Sequence, residues 1–182
     1  MKAFENKKIL IAVTGCIGAY KICSLVSTLI KLKAEVQVAM TKSSEKFVHP
    51  QSFHALSQKK VLRSNKAPIG ELGMDHIEFS RWADVYLIAP CTANTIGKIA
   101  NGMADDIVSS LSLACTIPQL IAPAMNPEMF QKPSVQRNLN TLKLDGFTVI
   151  PPEEGMMACG EEGVGRLPEE SVLLTAIEKV LS

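Results

Sequence analysis

Five short apolar runs alternate along this chain with segments of helical periodicity. Few polar residues interrupt these runs, which comprise residues 8–14, 35–40, 84–89, 119–123 and 147–150. Continuous apolar character, without alternation, is typical of strands that are covered on both faces. The pattern therefore predicts one parallel sheet enclosed between two layers of helices.

Helices are predicted between these strands. The first is the clearest, because Ile22, Leu25, Val26 and Leu29 would share one apolar face. The predicted helices comprise residues 17–31, 50–57, 92–101, 105–115, 133–144 and 168–181. Residues 58–73 are predicted to be a loop with a short strand near Val61, and residues 75–82 have no clear assignment. Residues 151–168, with their four glycines, are predicted to form a long loop.

Composition excludes several classes of protein. The 182 residues are enough for one domain with a substantial core, and the formal net charge of +1 lacks the basic excess of a nucleic-acid-binding domain. No apolar run reaches the roughly 20 residues of a membrane helix. Five cysteines without a CxxC pair are typical of a reducing cytoplasm, not of a disulfide framework or a zinc site. We therefore predict a cytoplasmic protein that binds no nucleic acid, membrane or metal.

The turn after the first predicted strand, T-G-C-I-G-A, is suited to binding an anion. Gly15 and Gly18 would let backbone N–H groups approach a phosphate at the start of a helix. The full GxGxxG fingerprint is absent, which favours a mononucleotide over NAD. From these residues alone, a tight turn without a ligand is the alternative.

Small polar residues also follow the second and third predicted strands. Thr41, Ser43 and Ser44 follow the second strand, and residues 91–95 follow the third. Because the carboxyl ends of parallel strands lie at one edge of the sheet, these residues could line a common ligand site. Each group could instead cap the next helix.

The fourth strand leads into the run I-A-P-A-M-N-P-E-M-F at residues 121–130. Asn126 stands there between two methionines, and a carboxamide is unfavourable to bury unless its donors and acceptor find partners. Asn126 is therefore expected either to cap the next turn or to bind a ligand at the carboxyl edge of the sheet.

His76 and Cys159 have side chains suited to proton transfer. His76 lies between Asp75 and Glu78, which could orient its ring, and histidine titrates near neutral pH. A surface histidine at a helix start is the alternative. Cys159 lies in the glycine-rich segment, which could close over a site or could be an exposed loop with an incidental thiol.

Four runs occur in one order and at consistent spacing: HIEFSRWAD, TANTIGKIANGMADD, PAMNPEM and ACGEEGVGR. Together they resemble the homo-oligomeric flavin-containing cysteine decarboxylases, over nearly the whole chain. The resemblance implies a three-layer α/β/α, Rossmann-like (flavodoxin-like) parallel sheet, in a single domain over residues 1–182, with FMN as cofactor. The ACGEEGVGR run points to the coenzyme A branch of that family and away from its peptide-modifying lantibiotic enzymes.

The resemblance also implies roles for individual residues. His76 would be the acid/base, Asn126 would orient the substrate carboxylate, and Cys159 would donate a proton. Contacts with FMN are implied for Gly15, Cys16, Ile17, Thr41, Ser43, Thr92, Ala93, Asn94, Thr95 and Ala124. Substrate contacts are implied for Asn126, Met156, Met157, Ala158 and Gly160. Cys16 departs from the serine or glycine common in the family, but backbone amides would contact the phosphate there.

The implied reaction is FMN-dependent decarboxylation of 4'-phospho-N-pantothenoylcysteine to 4'-phosphopantetheine in coenzyme A biosynthesis. FMN would oxidise the substrate thiol, carbon dioxide would leave from the neighbouring carboxylate, and reduced flavin would return the electrons. A homotrimer or dodecamer with each flavin near a subunit interface is implied as well. Because the chain ends at Ser182, a separate phosphopantothenate–cysteine ligase is expected as the pathway neighbour.

Three alternatives remain open from the sequence. A peptidyl-cysteine decarboxylase would have a different substrate loop, and a flavin prenyltransferase would lack the PAMNPEM and ACGEEGVGR runs. The third alternative is a non-catalytic, flavin-binding regulatory homologue. Such proteins often carry an acidic tail, which this sequence lacks.

Overall fold

A five-stranded parallel sheet forms the centre of the molecule in the computed structural model, which describes residues 2–63, 75–158 and 160–182. Its order is β2-β1-β3-β4-β5. The strands are β1 Lys8–Val13, β2 Glu35–Met40, β3 Val85–Cys91, β4 Gln119–Pro123 and β5 Thr148–Val149. The order reverses between β1 and β3, and this is the kind of switch point at which doubly wound sheets open a crevice for ligands.

Helices cover both faces of this sheet. They are α1 Lys21–Lys31, α2 Pro50–Ser57, α3 Asp75–Trp82, α4 Ala93–Ala100, α5 Ile107–Ala114, α6 Pro127–Gln131, α7 Pro133–Leu144 and α8 Glu170–Leu181. Short 3-10 turns at Lys2–Phe4, Ile17–Tyr20 and Ser44–Lys46 complete the helical elements of the described chain. None of the described helices has the length and apolar character that a membrane crossing needs.

The strand register separates two apolar cores. Ile11 pairs with Val38 on one side and with Leu87 on the other, and Leu87 pairs with Leu120. These four side chains belong to one core, together with residues of α1, α2 and α8. The next row of paired residues consists of Ala12, Ala39, Ile88 and Ile121, and it belongs to a second core with residues of α4, α5 and α7. The predicted three-layer architecture is therefore confirmed.

A buried threonine joins the ends of β1 and β3. The Oγ1 of Thr14 donates to the carbonyl oxygen of Pro90 at 2.7 Å and accepts from the backbone N–H of Thr92 at 3.1 Å. The prediction that the third strand stops at residue 89 was wrong, because β3 continues through Pro90 to Cys91. The register shifts between Ile88 and Cys91, and such an irregularity accommodates a proline, which cannot donate to the ladder.

The glycine-rich segment 151–168 was wrongly predicted to be a long loop. It forms an antiparallel hairpin of β6 Glu153–Met156 and β7 Glu162–Arg166. The hairpin packs on the segment that follows β4, since the backbone N–H of Met125 donates to the carbonyl oxygen of Gly165 at 3.0 Å. A Cβ on Gly165 would overlap the carbonyl oxygen of Met125, so this approach requires glycine.

Two short helices were not predicted. These are α3, in the segment left unassigned, and α6, directly after Asn126. The short strand expected near Val61 is a single bridge between Ala39 and Leu62. The rest of the predicted loop, from residue 64 to residue 73, lies outside the described residues.

Candidate functional site

A cleft of about 920 Å³ opens at the carboxyl ends of β1 to β4, and we call it the first cleft. It is lined by every residue for which FMN contacts were expected: Gly15, Cys16, Ile17, Thr41, Ser43, Thr92, Ala93, Asn94, Thr95 and Ala124. These residues come from four separate turns of the chain. The topology therefore brings the expected contacts together at the switch point of the sheet.

Gly15 sets the spacing between two of these turns. A Cβ on Gly15 would lie 2.6 Å from the Oγ of Ser43 and 2.7 Å from its Cβ. No side chain fits at this position without displacing the turn after β2. Glycine at this position therefore lets the turns after β1 and β2 pack directly against each other beside the cleft.

The hydroxyl groups of the first cleft are arranged in pairs. The Oγ1 of Thr41 lies 3.1 Å from the Oγ of Ser43, and the Oγ1 of Thr92 lies 3.2 Å from that of Thr95. Thr92 also caps α4 by accepting from the backbone N–H of Thr95. Capping and cleft lining are thus compatible at this residue. Ser44 has only a structural role here, because it is buried and its Oγ donates to the carbonyl oxygen of Thr41.

Several charged residues of the first cleft were not singled out from the sequence. Lys42, Lys46, Lys98 and Asp106 also line it. The Nζ of Lys98 lies 2.8 Å from a carboxylate oxygen of Asp106. Burial by itself would raise the pKa of Asp106, but the hydrogen bonds from Lys98 and Ser109 outweigh it, so the pKa lies below its ordinary value. Lys42 and Lys46, which follow β2, add positive charge to the first cleft.

Cys16 contributes to the cleft mainly through its backbone. Its N–H donates to the carbonyl oxygen of Thr14 at 2.8 Å, and its own carbonyl oxygen accepts from Ala19 at 3.0 Å. Its thiol makes no capping hydrogen bond, and burial raises the pKa of this thiol, partly offset by the N–H groups of Gly18 and Ile17. The thiol is therefore not activated toward the thiolate form.

We expect Cys16→Ser to change the dissociation constant for FMN by less than about threefold, because a serine hydroxyl can accept from the backbone N–H groups of Gly18 and Ile17 in place of the thiol. Quenching of FMN fluorescence on titration with the apoprotein measures this constant. Cys23→Ser, on the first turn of α1 and outside the cleft lining, is the control. A much larger loss of affinity in Cys16→Ser alone would mean that the thiol itself contacts the cofactor.

A second cleft, of about 520 Å³, adjoins the first. Its lining includes Asn126, Met156, Met157 and Ala158, four of the residues expected to contact substrate. Gly160, the fifth, lies in the turn of the hairpin but does not line this cleft. Cys159 lies outside the described residues. The two clefts share four lining residues: Cys16, Ile17, Ala124 and Met125.

Asn126 both caps a helix and faces the second cleft. Its Oδ1 accepts from the backbone N–H of Glu128 at 2.9 Å and from that of Met129 at 3.3 Å. These contacts fix the orientation of the carboxamide, because the nitrogen cannot accept from an N–H group. The Nδ2 group consequently faces the hairpin, where it donates to Oε2 of Glu161. Both expectations for Asn126 are therefore compatible: its oxygen caps α6 and its amide donors remain on the cleft side.

His76 is not brought into either cleft by a single chain. It is half-buried on α3, a helix that packs against α5, and it is among the lining residues of neither cleft. Its Nδ1 is buried without a hydrogen-bond partner in the part of the chain that the structure describes. Its expected role as acid/base stays a prediction.

The described residues contain no group of His, Cys, Asp or Glu side chains that could hold a metal ion. The polar side chains that line the two clefts include hydroxyls, lysines, the carboxamides of Asn94 and Asn126, and the guanidinium of Arg166.

Comparison with known families identifies the kind of protein. A family model described as Flavoprotein matches residues 2–182. The chain belongs to the flavoprotein family. Among curated relatives of this flavoprotein, the coenzyme A biosynthesis bifunctional protein CoaBC of Bacillus subtilis is 44% identical over 175 residues, or 96% of this chain and 43% of the relative. CoaBC of Haemophilus influenzae is 40% identical over 178 residues, or 98% of this chain and 44% of the relative. The chain thus spans less than half the length of these relatives.

Solved structures also resemble this flavoprotein over nearly its whole length. A cysteine-to-serine mutant of PPC decarboxylase, complexed with pantothenoylaminoethenethiol, has a TM-score of 0.84 and 35% identity, covering 96% of this chain and 98% of that one. SpaF, described as an FMN-dependent cysteine decarboxylase, also has a TM-score of 0.84, with 29% identity and coverage of 98% and 97%.

Proposed function

We propose that this flavoprotein binds FMN in the first cleft and decarboxylates 4'-phospho-N-pantothenoylcysteine to 4'-phosphopantetheine, as a carboxy-lyase of coenzyme A biosynthesis. One observation carries the proposal: the two clefts meet along Cys16, Ile17, Ala124 and Met125. A cofactor in one cleft would therefore lie beside a substrate in the other. The CoaBC relatives and the PPC decarboxylase structure support this substrate.

The residues of the first cleft fit FMN. The turn after β1 would hold the phosphate through backbone N–H groups, aided by Lys42 and Lys46, and the paired hydroxyls would bind the ribityl chain. Bound FMN would supply a two-electron acceptor for the substrate thiol and return the electrons after carbon dioxide is lost. The chain itself would position the substrate and manage its charge and protons.

Asn126 would donate hydrogen bonds from Nδ2 to the substrate carboxylate. Because its oxygen is held by α6, the donor geometry is fixed before substrate binds, which lowers the entropy lost on reaching the reactive arrangement. A neutral donor orients the carboxylate without the full stabilisation that a cation would give to the ground state. Met156 and Met157 would exclude water from the second cleft, and Cys159 would donate the final proton.

His76 would reach the site from another copy of the chain. Within one chain it lines neither cleft, and three exposed apolar side chains on the rim of the first cleft remain uncovered: Ile17, Phe47 and Met129 are 52%, 43% and 47% exposed. A homo-oligomer, trimeric or dodecameric, would cover them and complete the site. We further propose that residues 1–182 act as one flavin-binding domain in the cytoplasm, with a phosphopantothenate–cysteine ligase as the pathway neighbour.

Mass spectrometry of purified protein with FMN and phosphopantothenoylcysteine tests the proposed function. We expect loss of one carbon dioxide per substrate molecule, and no such loss from a peptide that ends in cysteine. Preferential reaction of the peptide would favour a peptidyl-cysteine decarboxylase. Binding of FMN without reaction of either substrate would favour a non-catalytic flavin-binding protein and would contradict the proposal.

We expect His76→Asn to lower kcat at least about 100-fold while the bound FMN per chain stays constant, because general acid–base catalysis contributes about 10²–10⁴-fold. The flavin absorbance of the purified variant gives the cofactor content. His54→Asn, on the exposed surface of α2, is the matched control. Loss of flavin from the His76 variant would mean instead that His76 maintains the structure of the cofactor site and does not act as the acid/base.

A further inference from the structure

The hairpin carries a carboxylate that already occupies the amide of Asn126. Nδ2 of Asn126 donates to Oε2 of Glu161, while its oxygen is held by the backbone N–H groups of Glu128 and Met129. The same amide is the group that the proposed function assigns to the substrate carboxylate. Without substrate, the protein therefore places one of its own carboxylates against this amide.

The geometry of the hairpin aims Glu161 at this position. Backbone pairing extends one residue beyond β7, because the N–H of Met157 donates to the carbonyl oxygen of Glu161 at 2.8 Å. Alternation along the strand then puts Glu161 and Gly163 on the same face. Gly165 lies at a register shift of the hairpin, and its Cβ position also points at this segment, toward Met125. The carboxylate is thus the first side chain on a face that is otherwise glycine.

That face lies directly on the segment containing Asn126. Gly165 accepts from the N–H of Met125, and a Cβ on Gly163 would lie 2.9 Å from the Cβ of Pro127. The two glycines bring the hairpin backbone into contact with the residues on either side of Asn126. Glu161 itself is exposed to solvent.

We propose that Glu161 is an internal competitor of the substrate in the second cleft: its carboxylate occupies the amide of Asn126 until a ligand with its own carboxylate displaces it. The inference rests on the proposed function for the identity of that ligand. A charged carboxylate accepts a stronger hydrogen bond than a neutral carbonyl, so displacement of Glu161 requires a ligand that brings a carboxylate of its own. The decarboxylated product has lost that group, so Glu161 recovers the amide when the product forms.

The expected effect follows from the fraction of molecules in which Glu161 occupies Asn126. If Glu161 occupies the amide of Asn126 in about nine-tenths of the molecules, the apparent KM is about tenfold above its intrinsic value. Glu161→Gln keeps the size of the side chain and removes its charge. We expect this variant to lower the KM for phosphopantothenoylcysteine about three- to tenfold, with kcat unchanged within about twofold. The inhibition constant of the decarboxylated product should not change.

Two further variants sharpen the test. Glu161→Ala removes any residual hydrogen bond and should lower KM at least as far as Glu161→Gln. Glu162→Gln removes the same charge from the neighbouring residue, which points to the opposite face, and should leave KM unchanged. An unchanged or raised KM in both Glu161 variants would overturn the proposal. A fall in kcat at constant KM would also overturn it, because Glu161 would then position Asn126 for the reaction.

Hydrogen exchange separates this proposal from the proposed function, because it needs neither substrate nor turnover. In Glu161→Gln, the amides of Met157 and Gly160 in the hairpin turn should exchange at least about threefold faster than in the wild type and in Glu162→Gln. Unchanged exchange would show that Glu161 does not hold the turn in solution, which contradicts the inference. If the wild type releases no carbon dioxide, the proposed function fails while the exchange result still stands.

Discussion

Asn126→Asp is expected to lower kcat at least about 100-fold while the protein stays folded and keeps its FMN. The carboxylate would retain the cap of α6, because either oxygen can accept from the N–H groups of Glu128 and Met129. The amide donors on the cleft side would be replaced by an oxygen that repels the substrate carboxylate. Steady-state release of carbon dioxide measures the loss, and thermal unfolding monitors the fold.

Asn140→Asp, on the exposed side of α7, is the matched control for that change and should keep wild-type activity. An unchanged kcat in Asn126→Asp would contradict the proposal that the carboxamide binds the substrate carboxylate. A large fall in unfolding temperature would show that the aspartate fails as a cap, and the lost activity would then have a structural cause.

Gly165→Ala is expected to displace the hairpin and to lower kcat/KM by at least about 100-fold, because the second cleft loses one wall. The added Cβ would overlap the carbonyl oxygen of Met125 and force apart the N–H···O contact between these residues. Overpacking of this kind destabilises by about 1–3 kcal/mol, enough to favour a hairpin that is no longer docked. Faster hydrogen exchange at the Met125 amide would report the displacement directly.

Gly97→Ala provides the control for the Gly165 substitution. Gly97 lies within α4, where an added Cβ would meet the Nδ2 of Asn138 at an ordinary 3.5 Å, and alanine is the better helix former. This variant should keep both activity and amide exchange at Met125. If Gly165→Ala and Gly97→Ala have the same activity and the same amide exchange at Met125, the close contact at Gly165 does not hold the hairpin in place.

Elements with strong local signals could be predicted closely from the sequence. The bounds of β2, β4, α2 and α7 agree with the predictions, because apolar spacing and, for all but β2, a proline at or beside the first residue define them locally. The hairpin could not be predicted in this way. Its glycines resemble a mobile loop, whereas Gly163 and Gly165 serve close packing against Pro127 and Met125, which are distant in sequence.

The candidate site shows the same division between local and long-range information. The turn residues after each strand could be found because parallel strands bring their carboxyl ends to one edge. The pair formed by Lys98 and Asp106 and the contact of Glu161 with Asn126 depend on how helices and hairpin pack, so no local pattern predicts them. His76 lines neither described cleft, and its expected role depends on an assembly that one chain does not contain.

Release of carbon dioxide from carboxyl-labelled phosphopantothenoylcysteine is the most direct measurement of the central claim, which joins an FMN cleft to a carboxylate-binding amide. We expect the FMN-loaded wild type to release the label and the FMN-free protein and FMN-loaded Asn126→Asp to release almost none. FMN-loaded wild type that releases no label, or equal release by wild type and Asn126→Asp, would contradict the account.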